Sequence, residues 1–180
     1  MAYVAKPSIV SRGSWGAAPT KASTPLPKGN VTKFVIHHSA SNNTTVTNTT
    51  EIAHQKALQT DMMSRGFQDM GYHFGIGKNG TILEGRLTSL QGEHVSNHQN
   101  YTLGIMLHGN YETRAFTTAQ LNSLCKLLAW LCYDYGLTTS AITYHQALGS
   151  TACPGANVIS KMSTIRANVY NLLNNGPIES

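Results

Sequence analysis

Apolar and polar positions change period several times along the chain, and each change marks an element. KFVIHHS (33 to 39) is a β-branched and aromatic run that predicts a buried strand. The polar stretch ASNNTTVTN behind it reads as a loop. Asn48 with Glu51 three residues later is a capping signal, and the segment continues as a helix to about Gly66 with Ile52, Leu58, Met62 and Met63 on its inner face. YHFGIGKNGTILEG (72 to 85) reads as two strands joined at Asn79-Gly80, because both turn residues tolerate positive φ. LGIMLHG (103 to 109) is another buried strand. From Thr117 to Tyr135 the spacing of Leu121, Leu124, Cys125, Leu128, Leu131, Cys132 and Tyr135 is helical, with a Thr117/Gln120 capping box at the start and Gly136 at the end. AITYH (141 to 145) predicts a short strand, and a last helix from about Asn157 to Asn174 buries Val158, Met162, Ile165, Val169 and Leu172. Residues 1 to 30 hold four of the six prolines and little periodicity, which predicts an irregular N-terminal arm packed on the rest. The pattern as a whole predicts one α/β domain over residues 1 to 180, a central mixed β-sheet flanked by helices.

Composition narrows the partners. The 180 residues are 41% hydrophobic and 12% charged, with 13 Lys and Arg against 8 Asp and Glu. A net charge of +5 favours an anionic partner such as nucleic acid, a membrane surface or a bacterial cell wall, and names none of them. The basic residues are scattered and form no basic-aromatic block, so nucleic acid is not expected. No window approaches the roughly 18 consecutive apolar residues of a membrane span. The N-terminus MAYVAKPSIVSRGSWGAAP has no charged start followed by an apolar run, so synthesis in the cytoplasm without a signal peptide is expected, with release by another agent if the protein acts elsewhere. No interface is marked in the sequence, and a monomer is expected.

The three cysteines argue against a disulfide framework. Cys125 and Cys132 lie two turns apart on one helix face and read as buried small hydrophobes, too far apart to bridge. Cys153 is different, because it sits in a polar loop eight residues after His145 in TYHQALGSTACPG. His37 and His38, adjacent in a strand, point to opposite faces, so at most one of them reaches a common metal. One of these with His145 and Cys153 would give two imidazoles and a thiolate, a set that suits zinc and leaves a fourth position open, as catalytic zinc requires. A free loop cysteine beside a strand-end histidine is the alternative on spacing alone.

VIHHSA, GYHFGIGKNGTILEGR, GEHVSNHQNYTLGIMLHGNY and YHQALGSTACPG occur here in one order, preceded by IVSRGSWGA. The ordered set, from about Ile9 to the last helix, resembles the zinc amidases of the peptidoglycan recognition protein family, which includes short phage N-acetylmuramoyl-L-alanine amidases. The resemblance implies a peptidoglycan recognition protein-like fold and one zinc ion per chain, held by His37, His145 and Cys153. It implies a catalytic role for Tyr72, in GYHF, beside the zinc, and places His94, in GEH, on the substrate groove. Thr151, two residues before the cysteine, follows the pattern of many recognition proteins, where the short phage enzymes have lysine.

The activity implied is hydrolysis of the amide between N-acetylmuramic acid and L-alanine, with Tyr72 and Thr151 assisting the oxyanion and bacterial peptidoglycan as the partner. The role expected is that of a bacteriolytic phage endolysin acting on the wall after release. A recognition module that binds muropeptides without cutting them is the alternative, although such relatives typically lose the cysteine. An unrelated α/β protein with a structural zinc or none is a third reading.

Overall fold

The computed structural model describes residues 2 to 41 and 48 to 175. Its elements follow the chain as β1 (Lys33–His38), α1 (Asn48–Ser64), β2 (Phe74–Ile76), β3 (Ile82–Glu84), β4 (Thr102–Leu107), α2 (Thr118–Tyr135), β5 (Ile142–Tyr144), a single turn α3 (Ala156–Ile159) and α4 (Met162–Asn175). The five strands form one sheet in the order β3-β2-β4-β1-β5. β2, β4, β1 and β5 run parallel to their neighbours, and only the β2-β3 hairpin is antiparallel. The sheet is therefore mixed, as expected.

Because strand side chains alternate between faces, β1 sends Phe34 and Ile36 to one side of the sheet, and β4 sends Leu103, Ile105 and Leu107 with them. There they join Leu124, Leu127, Leu128 and Leu131 of α2 and Ile165 and Val169 of α4 in the main core. Cys125 and Cys132 lie in that core as free thiols. Thr117 caps α2 by accepting the Gln120 N–H at 3.0 Å, and Gly136 closes it at φ 67°. The Gln120 side chain turns away from the cap: its oxygen accepts from the Tyr111 hydroxyl, and its NH2 donates to the carbonyls of Ile76 (2.8 Å) and His108 (3.2 Å).

Two expectations require correction. The last helix is broken, a turn over Ala156–Ile159 followed by Met162–Asn175, and Leu173 instead of Leu172 is its buried residue near the end. More consequential is α1, whose fully buried positions are Glu51, Gln55 and Gln59, with Met62 one turn further on. Ile52, Leu58 and Met63 are only partly buried. A row of polar residues at helical spacing thus forms the inner face, and it covers the side of the sheet opposite the main core. Asn48, expected as the cap, is the first residue of α1, and most of the expected loop before it, 42 to 47, lies outside the described residues.

The N-terminal arm is ordered by contacts with the sheet edge. Val10 pairs with β3 through Val10 N to Ile82 O and Glu84 N to Val10 O, both 2.8 Å. The Trp15 indole donates to Glu84 O at 2.6 Å, and Gly16 takes φ 74°, a left-handed turn that glycine adopts without strain.

Candidate metal centre

His37, His145 and Cys153 come from three places that the sheet brings side by side. β1 and β5 are neighbours with Ile36 opposite Tyr144, so the next residue of each strand, His37 and His145, lie adjacent, with ring centroids 4.7 Å apart. The loop after His145 returns through a hydrogen bond from Gln146 N to Cys153 O (3.0 Å). The His38 N–H points at Cys153 Sγ at 3.4 Å, and Thr151 Oγ1 accepts the Cys153 N–H at 3.2 Å. The loop is thereby held with its sulfur over the end of β1.

The ligand atoms of the three residues all lie within 4.8 Å of one another. Cys153 Sγ is 3.6 Å from His37 Nδ1. Two ligands of a tetrahedral zinc, one sulfur and one nitrogen, stand about 3.6 Å apart for ordinary bond lengths. The residues present fit the ion.

Which nitrogen of His37 faces that point is fixed by a chain of hydrogen bonds. Thr102 donates its hydroxyl to His98 O at 2.6 Å, so its oxygen is left to accept from His94 Nε2 at 3.2 Å. His94 Nε2 therefore carries the hydrogen and Nδ1 is the acceptor. His37 Nε2 lies 2.8 Å from that Nδ1 and must donate. The remaining nitrogen of His37, Nδ1, then presents a lone pair toward Cys153, as a metal ligand needs, with an outer partner holding its tautomer.

Every group of the cluster is driven toward its neutral form. Burial, aided by the neighbouring His94 and His145, lowers the His37 pKa well below its usual value. Burial lowers those of His94 and His145 also. It pushes the Cys153 thiol up to about 11, whereas a nucleophilic cysteine is tuned downward. A divalent cation is the charge that would favour the thiolate here.

Tyr72 lies beside His37, ring centroids 5.0 Å apart, and burial together with the nearby Cys153 raises its pKa. Its hydroxyl keeps its proton at neutral pH and is a hydrogen-bond donor. His38 points to the opposite face, where its Nδ1 accepts the Tyr111 N–H at 3.1 Å. His94 is buried, with both ring nitrogens engaged by His37 and Thr102. That position behind His37 does not fit the expected place on a substrate groove. Gly104 makes room for it, since a Cβ there would stand 2.7 Å from the His94 ring. The sequence offered no sign of this pairing, because His37 and His94 are 57 residues apart.

Known proteins carry the same arrangement of sequence and fold. Residues 27 to 156 match the family model described as N-acetylmuramoyl-L-alanine amidase. Peptidoglycan-recognition protein SC2 of Drosophila simulans is 34% identical over 160 residues, covering 87% of this chain and 85% of that protein. The amidase LysC of Clostridium intestinale URNW superposes with a TM-score of 0.70 at 28% identity, covering 88% of this chain and 97% of that one. Peptidoglycan recognition protein-LE, solved in complex with tracheal cytotoxin, a monomeric diaminopimelic acid-type peptidoglycan, superposes at 0.79 with 28% identity, over 87% of this chain and 92% of that one. A match over most of the chain, with a cluster that fits the metal, leads to one assignment: the chain belongs to the N-acetylmuramoyl-L-alanine amidase family, alongside the peptidoglycan recognition proteins.

Proposed function

We propose that this protein is a zinc-dependent amidase that cleaves the bond between N-acetylmuramic acid and L-alanine in peptidoglycan. The observation that carries the reading is the convergence of His37 Nδ1, His145 and Cys153 Sγ on one point, with the His37 tautomer held by His94. A zinc ion held there supplies acidified water at neutral pH and Lewis-acid polarisation of an amide carbonyl. In the overall reaction the C–N bond breaks, the hydroxyl of water goes to the lactyl carbon and its hydrogen to the L-alanine nitrogen.

The chain's own groups act around that centre. Tyr72, holding its proton, donates a hydrogen bond to the carbonyl oxygen as charge develops on it. Thr151 positions Cys153 through the Cys153 N–H, and His94 positions His37. Neither buried His37 nor His94 stores a proton at neutral pH, since burial keeps both uncharged.

Likeness to a clostridial amidase supports a lytic role, that of an endolysin reaching the wall after release, and the net charge of +5 suits an anionic wall. The recognition-protein names of the relatives favour a second reading, muropeptide binding without cleavage. The presence of Cys153 at the cluster supports the hydrolase. The test is release of L-alanine amino termini from purified peptidoglycan by zinc-loaded protein, lost in Cys153→Ala. Binding to peptidoglycan with no release of amino termini would establish the recognition reading instead.

A further inference from the structure

A second group of potential ligands lies on the same side of the sheet as the first, under α1. Glu51 and His54, three apart on one face of that helix, meet His108, which follows the end of β4. Glu-x-x-His at this spacing directs a carboxylate and an imidazole to one point, as in metal-binding helical bundles. His108 Nδ1 is 2.9 Å from Glu51 Oε2 and 3.1 Å from His54 Nδ1, and all three ligand atoms lie within 4.8 Å of one another. Oxygen and nitrogen ligands of one zinc-sized ion, at angles between about 90° and 110°, stand roughly 2.9 to 3.4 Å apart.

Donor and acceptor accounting shows what this arrangement lacks as a purely organic cluster. The Gln55 Nε2 donates to Met70 Sδ at 3.2 Å, which turns its carbonyl oxygen toward His108 Nε2 at 2.7 Å. That oxygen accepts, so Nε2 carries the hydrogen and His108 Nδ1 presents a lone pair. A lone pair facing a carboxylate oxygen and a second imidazole nitrogen is the geometry of a cation site, and the Gln55 carbonyl holds the ligand's tautomer as His94 does at His37. Among the described residues the other Glu51 oxygen, Oε1, is buried with no hydrogen-bond partner of its own, while the Lys78 backbone N–H hydrogen-bonds the carboxyl group.

The surrounding chain is shaped around the cluster. A Cβ on Gly75 would stand 2.4 Å from Gln55 Oε1 and 3.0 Å from His108 Nε2, and one on Gly77 would stand 2.7 Å from Glu51 Oε2. Two glycines in and beside β2 thus leave the space these side chains fill. Glu51 and His108 are fully buried, whereas His54 is partly exposed and gives the side from which an ion enters. The Lys78 ammonium feels the same carboxylate and is the positive charge an ion competes with.

We propose that Glu51, His54 and His108 form a second metal site, for a borderline divalent cation of the zinc class, separate from the cluster at Cys153. This inference does not rest on the amidase reading. The full chain, stripped with a chelator, is titrated with Zn2+ and with Co2+ and the bound metal counted. Two ions per chain are expected for the wild type and one for Cys153→Ala. His54→Gln and Glu51→Gln, each checked for native circular dichroism, are expected to bind one ion and to retain the sulfur-to-cobalt charge-transfer band that reports the Cys153 cluster. Gln55→Leu is expected to weaken the second equivalent by about 10- to 100-fold. No metal on Cys153→Ala, or an unchanged count in both His54→Gln and Glu51→Gln, would overturn the proposal.

Discussion

Burial acts on Tyr72 and on His94 in opposite directions and leaves both neutral, and their separate tasks follow from that. Tyr72, its pKa raised by burial and by the Cys153 sulfur, is useful as a fixed donor. Removing its hydroxyl in Tyr72→Phe is expected to leave zinc content unchanged and to lower kcat by about 10²- to 10³-fold, the usual cost of one oxyanion donor. Full turnover in that variant would take Tyr72 out of the mechanism. His94 has no free nitrogen for substrate. His94→Phe keeps a ring but removes the acceptor for His37 Nε2, and is expected to weaken the Cys153-dependent metal by about 10- to 100-fold. A rise in KM with unchanged metal affinity would return His94 to the substrate groove.

At the scale of elements, the turn after Cys153 is tightly constrained. Gly155 has φ 94°, and a Cβ there would lie 2.4 Å from the Tyr111 carbonyl carbon and 2.6 Å from Glu112 N. These are backbone atoms and cannot swing aside. Gly155→Ala is expected to cost at least ~2 kcal/mol, seen as a lower urea midpoint, and to weaken metal binding by displacing Cys153 two residues upstream. A variant with wild-type midpoint and affinity would show the turn to be freer than its contacts indicate. α2 was legible in the sequence because its apolar stripe, Thr117 cap and terminal Gly136 agree with one another. The inner face of α1 was not, since Glu51, Gln55 and Gln59 have no apolar period. Their burial depends on His108, Met70 and Asp69, which the chain brings to them only on folding. His37, His145 and Cys153 were readable for a different reason: motif order carries them, whereas the hydrogen bonds behind them link residues too distant in sequence for any spacing rule.

For the whole molecule, the N-terminal arm is tied down by a buried carboxylate in the loop before β2 as well as by its pairing with β3. Arg12 lies 3.0 Å from Asp69, and it also donates to Gly85 O at 2.8 Å and Ala18 O at 3.0 Å. The Asp69 side chain is completely buried, so Arg12→Ala leaves a charge short of its partner and is expected to cost about 3 kcal/mol in urea unfolding. Burial alone raises the Asp69 pKa, but hydrogen bonds from Gln59, Thr20, the Met70 N–H and Arg12 outweigh it and hold the carboxyl below its usual value of 3.8. A carboxyl with a depressed folded pKa adds stability that is fully present above the unfolded value and lost as pH falls through the folded one. Wild-type stability, measured in chelator so that released metal adds nothing, is therefore expected to decline as pH drops below about 4. Asp69→Asn begins less stable at neutral pH, and its decline over the same range is expected to be shallower because this carboxyl no longer titrates. Parallel declines in the two proteins would mean that the arm is held by its contacts with β3 and not by the charge at Asp69.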